Sequence, residues 1–242
     1  FKQIHKFFGS HRHLAGTRGF RIGEMLLKEL EERAVRTLLS TVAFGLFEDN
    51  VLGIYREGEV SSLRAKKLIV ATGALENPLK FPGWTLPGVM GAGAVQTMIN
   101  LHRVLPGKRV LMVGSGNVGL IVSYQLMQAG AQVVGLVEAL PRISGWHVHA
   151  AKICRLGIPL HLSHTVLHTE GTECVEGAVL VQLDDSFHPV AGTEKQLGVD
   201  LICIAVGLRP LVELARLGNC SMGYIEGLGG FLPLHNEYMM TS

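Results

Sequence analysis

The 242-residue sequence has few cysteines, and those it has stand far apart: Cys154, Cys174, Cys203 and Cys220 are the full set. With no C-x-x-C pair, neither a dithiol redox centre nor a zinc knuckle is encoded. Cys203 lies inside an apolar run and reads as a small core hydrophobe. Charge is also sparse, at 17% Asp, Glu, Lys and Arg with a net of +2. The nearest approach to a basic cluster is Arg64-Ala65-Lys66-Lys67, a solvated strand entrance, so no nucleic-acid partner is expected. Apolar runs of about eighteen residues are missing and no signal peptide is visible, so the expectation is a soluble, cytoplasmic chain with no membrane partner. Eleven histidines invite a metal reading. Strand alternation would send His161 and His164 to opposite faces, and His147, His149 and His168 find no carboxylate or cysteine to complete a tetrahedral set, so no metal site is expected.

Glycine, by contrast, is abundant. The thirty glycines gather after apolar runs, where backbone turns tightly or approaches a ligand. The layout also repeats. An amphipathic stretch from Gly19 to Ala34 (Ile22, Met25, Leu26 and Leu30 on one side) predicts a helix. Strand-like runs follow at Val35 to Val42, Ala43 to Glu48 and Val51 to Glu57, and then the apolar run Lys67 to Gly73, read as a buried strand ending on glycine. The second pass has a helix over Trp146 to Leu156, strands over Ile158 to His168 and Val175 to Leu183, and a buried run Val199 to Gly207. Pro-Gly turns between the copies mark a linker, with a helix over Ala92 to Val104. Two related nucleotide-binding domains are the reading. The second copy is preceded by a strand–turn–helix–strand unit that the first lacks. The chain also begins at Phe1, and the expectation is a fragment whose opening unit has been cut away.

That extra unit carries the chemistry. Lys108 to Val113 is a short apolar strand running into Gly114-Ser115-Gly116-Asn117-Val118-Gly119, a G-x-G-x-x-G, with a helix from Leu120 to Ala129. A second strand, Gln132 to Val137, ends on Glu138. Gly114 permits the tight turn, Gly116 lets backbone approach a pyrophosphate, and Gly119 lets helix pack on strand. The helix N-terminus offers unpaired N–H groups and partial positive charge to phosphates. Glu138, nineteen residues after Gly119, is spaced to accept hydrogen bonds from ribose hydroxyls and would repel a 2′-phosphate, which favours NAD over NADP although Arg142 stands close by.

The order Leu68-Ile69-Val70-Ala71-Thr72-Gly73, then Phe81 to Val89, then Gly114 to Gly119, then Ala205-Val206-Gly207-Leu208-Arg209-Pro210 resembles the pyridine nucleotide-disulfide oxidoreductase superfamily. The branch it is most similar to holds NADH oxidase-like proteins and the alpha subunits of sarcosine oxidase, opine or proline dehydrogenase and hydrogen cyanide synthase. The resemblance implies an α/β fold of two Rossmann-like three-layer nucleotide-binding domains, the NAD domain inserted in a truncated FAD domain. The expected boundaries are a partial FAD-binding domain and linker at 1–103, an NAD-binding domain at 104–206, and a return to the FAD-binding domain at 207–242. It further implies Val206 and Gly207 near NAD, and Ala71, Thr72 and Gly73 near FAD, which the complete protein would bind. The family's first G-x-G-x-x-G and its closing Gly-Asp strand are absent here. Phe7-Phe8-Gly9-Ser10-His11-Arg12-His13, with Arg18 and Arg21, is either a flavin- or substrate-facing stretch or a solvated loop.

The functional expectation is the NAD(H)-binding part of a flavin-dependent oxidoreductase, of NADH oxidase or dehydrogenase type, passing a hydride between NAD(H) and FAD. An amine- or opine-oxidising alpha subunit is the specific form the resemblance suggests, with a beta subunit or a homo-oligomer as partner. The alternative is a non-catalytic module that holds an adenine nucleotide and no flavin. No nucleophile–base pair stands out, so catalytic residues are unassigned.

Overall fold

The apolar run Arg109–Val113 is the middle strand of a five-stranded sheet. Its order is Leu160–Leu162, Gln132–Glu138, Arg109–Val113, Leu201–Ile204, Val89–Gly91, and every neighbouring pair is parallel. Parallel strands joined by crossovers are covered on both faces, which explains their continuous apolar sequences. Val110, Met112, Leu201 and Cys203 turn to one side and pack with Leu120, Leu126 and Ile153 from the helices Asn117–Gln128 and His147–Arg155. Leu111, Val113, Ile202 and Ile204 turn to the other and meet Val166, Ala178 and Leu180. Those three belong to an antiparallel sheet of His164–Glu170, Gly177–Gln182 and Lys195–Gly198. The result is three layers, helix on parallel sheet on antiparallel sheet. Leu111 and Met112 are both fully buried, one on each face, and removing such a side chain to alanine costs about 2–5 kcal/mol.

The computed structural model describes Lys6, Phe7 and residues 14–242. It divides into two compact units. One comprises the described residues up to Leu26 with Glu76–Gly207, and the other Leu27–Leu75 with Leu208–Ser242. The second unit holds the antiparallel sheet Thr41–Phe47, Val51–Arg56, Glu59–Arg64. Against its first strand sits the short helix Glu213–Leu217, where a Cβ on Gly218 would lie 2.5 Å from Leu46 Cδ2. A hairpin pairs Met222–Ile225 with Gly230–Pro233, with Tyr224 edge-on to Phe231 at 5.3 Å. No helix among the described residues is long and apolar enough to cross a membrane.

Several local expectations change. Residues 35–40 are not strand, and the first strand starts at Thr41. Glu59–Arg64 forms a third strand that its fully exposed, mostly polar sequence did not announce. Residues 68–73 form no strand either: Ile69 is 90% exposed. Apolar composition alone cannot make a strand where no neighbour supplies a ladder. Finally, Ile158 to His168 is not one strand. It breaks at Ser163, which adopts φ 53°, so Leu160–Leu162 closes the parallel sheet and His164–Glu170 opens the antiparallel one. The break resets the side-chain alternation, and the rings of His161 and His164 lie 5.8 Å apart instead of on opposite faces. Among the described residues, no cluster of three or more His, Cys, Asp or Glu is arranged to hold a metal ion.

Candidate functional site

The fingerprint lies at the carboxyl edge of the parallel sheet, where open α/β sheets bind ligands. Gly114 leaves the middle strand with φ 103°, its N–H donating to Val137 O at 2.7 Å. A Cβ here would run into the carbonyl oxygen of Ala205. Gly119 is required for a different reason: its Cβ would meet the carbonyl oxygen of Gly114, so the helix can approach the strand only without one. Gly116 differs from both. Nothing lies within 4 Å of where its Cβ would stand, so the protein itself does not need glycine there. Gly116 is also the N-cap of the helix Asn117–Gln128, and no side chain caps that end. An uncapped helix N-terminus beside open space fits a pyrophosphate.

Glu138 ends the neighbouring strand and is 9% exposed. Its Oε2 accepts from the Ser115 backbone N–H at 2.9 Å, from the Ser115 hydroxyl, and from the Ser144 hydroxyl at 3.2 Å. Oε1 accepts from Leu140 N–H at 3.0 Å. A carboxylate offers about four lone-pair sites, two per oxygen. Oε2 is therefore saturated by the protein, and Oε1 retains room for one further donor. Ser115 is fully buried, and its hydroxyl in turn accepts from Ser144 N–H at 2.9 Å. The next residues close on the fingerprint: Gly145 N–H donates to Ser115 O at 2.9 Å, and Trp146 N–H to Asn117 Oδ1 at 2.8 Å. A Cβ on Gly145 would stand 2.8 Å from Ser115 O. Sequence reasoning missed Ser144 and Gly145. The one available signal was a Ser-Gly pair following the strand-ending acid.

Val206 and Gly207 follow the strand Leu201–Ile204 at the same edge, introduced by Ala205 N–H donating to Val113 O at 2.7 Å. Gly207 has φ 117° and accepts from Asn77 N–H at 3.0 Å. Residues Gly114 to Gly119, Glu138, Val206 and Gly207 are thus neighbours. Ala71, Thr72 and Gly73 belong to the other unit and are exposed. The Thr72 hydroxyl donates to Leu211 O at 2.8 Å, and nothing lies within 4 Å of a Cβ on Gly73. Without a strand they form no cradle at a sheet edge. Of the N-terminal stretch from Phe7 to His13, residues 8–13 lie outside the described residues.

Two titratable groups of this unit are shifted from their ordinary values. Burial, and then the charge of Glu76, push the Cys203 thiol far up, so it remains protonated in the core. Burial and the charge of Lys152 hold His149 below its ordinary value.

A family of known proteins matches this arrangement along almost its whole length, from residue 5 to residue 241: pyridine nucleotide-disulphide oxidoreductase. An opine oxidase subunit from Agrobacterium tumefaciens (strain Ach5) is 38% identical over 194 residues, covering 76% of this chain and 39% of that protein. The alpha subunit of sarcosine oxidase from Rhizobium meliloti (strain 1021) is 27% identical over 195 residues, covering 75% of this chain and 18% of that protein. The chain therefore spans well under half the length of these curated relatives. Among solved structures, thioredoxin reductase of Lactococcus lactis superposes with a TM-score of 0.73 at 16% identity, covering 99% of this chain and 74% of that one. The fold is thus shared with thioredoxin reductase at low sequence identity. Taken with the sheet, the fingerprint and the acid that ends the second strand, the match establishes that this chain belongs to the pyridine nucleotide-disulphide oxidoreductase family, whose members use FAD and NAD(P).

Proposed function

We propose that the chain is the NAD(H)-binding part of a flavin-dependent oxidoreductase that passes a hydride between NAD(H) and FAD. Gly116 carries this reading. It is the one fingerprint glycine whose missing side chain the protein's own packing does not explain, and it faces open space at an uncapped helix N-terminus. The backbone N–H groups that open the helix would hold the pyrophosphate, Glu138 Oε1 would accept from a ribose hydroxyl, and Val206 and Gly207 would flank the nicotinamide half. In this reading residues 104–206 are the NAD-binding domain, 1–103 a partial FAD-binding domain and a linker whose strand Val89–Gly91 joins the NAD-domain sheet, and 207–242 the return to the FAD-binding domain of the whole protein. When bound, the dinucleotide supplies or accepts the hydride, and the protein contributes orientation and electrostatics.

The names of the relatives, subunits of sarcosine oxidase and opine oxidase, support an amine- or opine-oxidising alpha subunit that works beside a second polypeptide; dehydrogenase or NADH oxidase chemistry is part of the same proposal. By itself the 242-residue chain is expected to bind NADH without turning it over, because Ala71, Thr72 and Gly73 offer no flavin cradle. The visible absorption spectrum before and after anaerobic addition of NADH tests this. A colourless protein that binds NADH supports the reading. Bound flavin that bleaches with NADH would overturn the expected inactivity, and a protein that binds neither nucleotide would overturn the assignment itself.

A further inference from the structure

A groove of about 890 Å³ runs along the fingerprint helix, lined from Asn117 onward and not by Gly114, Ser115 or Gly116. Its walls are the helices Asn117–Gln128 and His147–Arg155, and Lys6, Phe7 and Arg18 close the third side. A volume in the range of about 300–1,000 Å³ is typical of small-molecule pockets.

Two features of the lining decide what it suits. The first is flat apolar surface. Trp146 is 69% exposed, with His149 stacked on it at 6.3 Å and 8° between the planes; Tyr124 and Leu120 continue the wall. An indole this open has no role in the unit's own core. The second is charge of one sign. Lys6, Arg18 and Lys152 line the groove, and among the described residues no carboxylate does. None of the three forms an ion pair among the described residues, and Lys152 Nζ rests over the Tyr124 ring at 5.4 Å. Lysine on an aromatic face keeps its charge available to an incoming anion.

We propose that this groove is a second binding site, separate from the nucleotide edge, for a small organic carboxylate with a flat aromatic body. The ring lies against Trp146 and Tyr124, and the carboxylate is met by Lys152 and Arg18. His149, stacked on Trp146, contributes a flat face. The inference does not rest on the nucleotide reading: Asn117 borders the groove, but the three fingerprint glycines do not line it.

The test is calorimetric titration of the intact protein with 2-naphthoate, alone and with saturating NADH, and with 2-naphthylmethylammonium as the cation of similar shape. Saturable binding of one naphthoate per chain is expected, undisplaced by NADH, with no saturable binding of the cation. Lys152→Glu should weaken naphthoate binding about tenfold, and Trp146→Ala should weaken it as well. Should Lys152→Glu fail to fold, Arg18→Glu makes the same test from the opposite wall. Absence of saturable binding, displacement by NADH, equal binding of the cation, or variants that bind like the unmodified protein would each overturn the proposal. Failure of NADH to bind would count against the nucleotide reading alone.

Discussion

Adding one methyl group to each fingerprint glycine should separate fold from function. At Gly116 the backbone is extended (φ −62°, ψ 171°), a conformation any residue adopts, and the added carbon would meet nothing within 4 Å. Two small effects on stability then oppose each other. Alanine removes unfolded-state freedom, worth about 0.4–1 kcal/mol, but it is a poorer N-cap than glycine by a similar amount. Gly116→Ala should therefore unfold within about 1 kcal/mol of the unmodified protein. NADH binding should suffer much more, because the methyl occupies the space assigned to the pyrophosphate. An overpacked contact costs about 1–3 kcal/mol, which is roughly 5- to 150-fold in Kd.

Gly119→Ala should show the reverse balance. Its Cβ strikes the carbonyl oxygen of Gly114 and comes within 3.3 Å of Ala205 Cβ, so stability itself falls by about 1–3 kcal/mol. Gly114→Ala adds positive-φ strain to a backbone clash and should be the least stable of the three. Urea denaturation and NADH titration of all three variants make the comparison. A folded Gly116→Ala protein that binds NADH within twofold of the unmodified one would refute the argument, since the open space would then not be the cofactor's.

Glu138→Ala should weaken NADH more than NADPH, because a charged acceptor facing a ribose hydroxyl is worth about 1.5–3 kcal/mol and repels a 2′-phosphate; equal losses for the two would sink the ribose assignment. His161 is held below its ordinary 6.5 by burial first, then by Lys195 and His164. The unfolded chain therefore takes up this proton first as pH falls, and stability declines below about pH 6.5 until the folded-state value is passed. His161→Gln should flatten that part of the Tm–pH curve, and an unchanged slope would remove His161 as its source. Finally, a thiol reagent added to the native protein should modify the exposed Cys154 and Cys174 and leave Cys203 intact until unfolding. Labelling of Cys203 at the rate of the exposed pair would show that the sheet opens far more readily than its packing implies.

Much of this protein was decided locally and was therefore legible in its sequence. The strand, the G-x-G-x-x-G turn, the following helix and Glu138 are contiguous, and Gly119 answers to Gly114 within that unit, although Gly114 itself packs against the distant Ala205. The family resemblance adds three further short segments, Leu68 to Gly73, Phe81 to Val89 and Ala205 to Pro210, each a local pattern. What the sequence could not decide depended on partners distant along the chain. Residues 68–73 are apolar enough for a buried strand, yet a strand exists only where another supplies its hydrogen bonds. The positive φ of Ser163 puts His161 and His164 side by side, although alternation within one strand would have separated them. The engagement of Glu138 with Ser115 and Ser144 arises because the loop after the strand folds back over the fingerprint. The groove beside Trp146 likewise needs two helices and the Lys6–Phe7 strand to meet, and no spacing in one segment encodes that meeting. Hydrophobic periodicity and turn chemistry are properties of neighbouring residues, so they determined the elements and the fingerprint. Strand pairing, side-chain partners and concavity are properties of surfaces brought together by folding, and tertiary structure alone decided those.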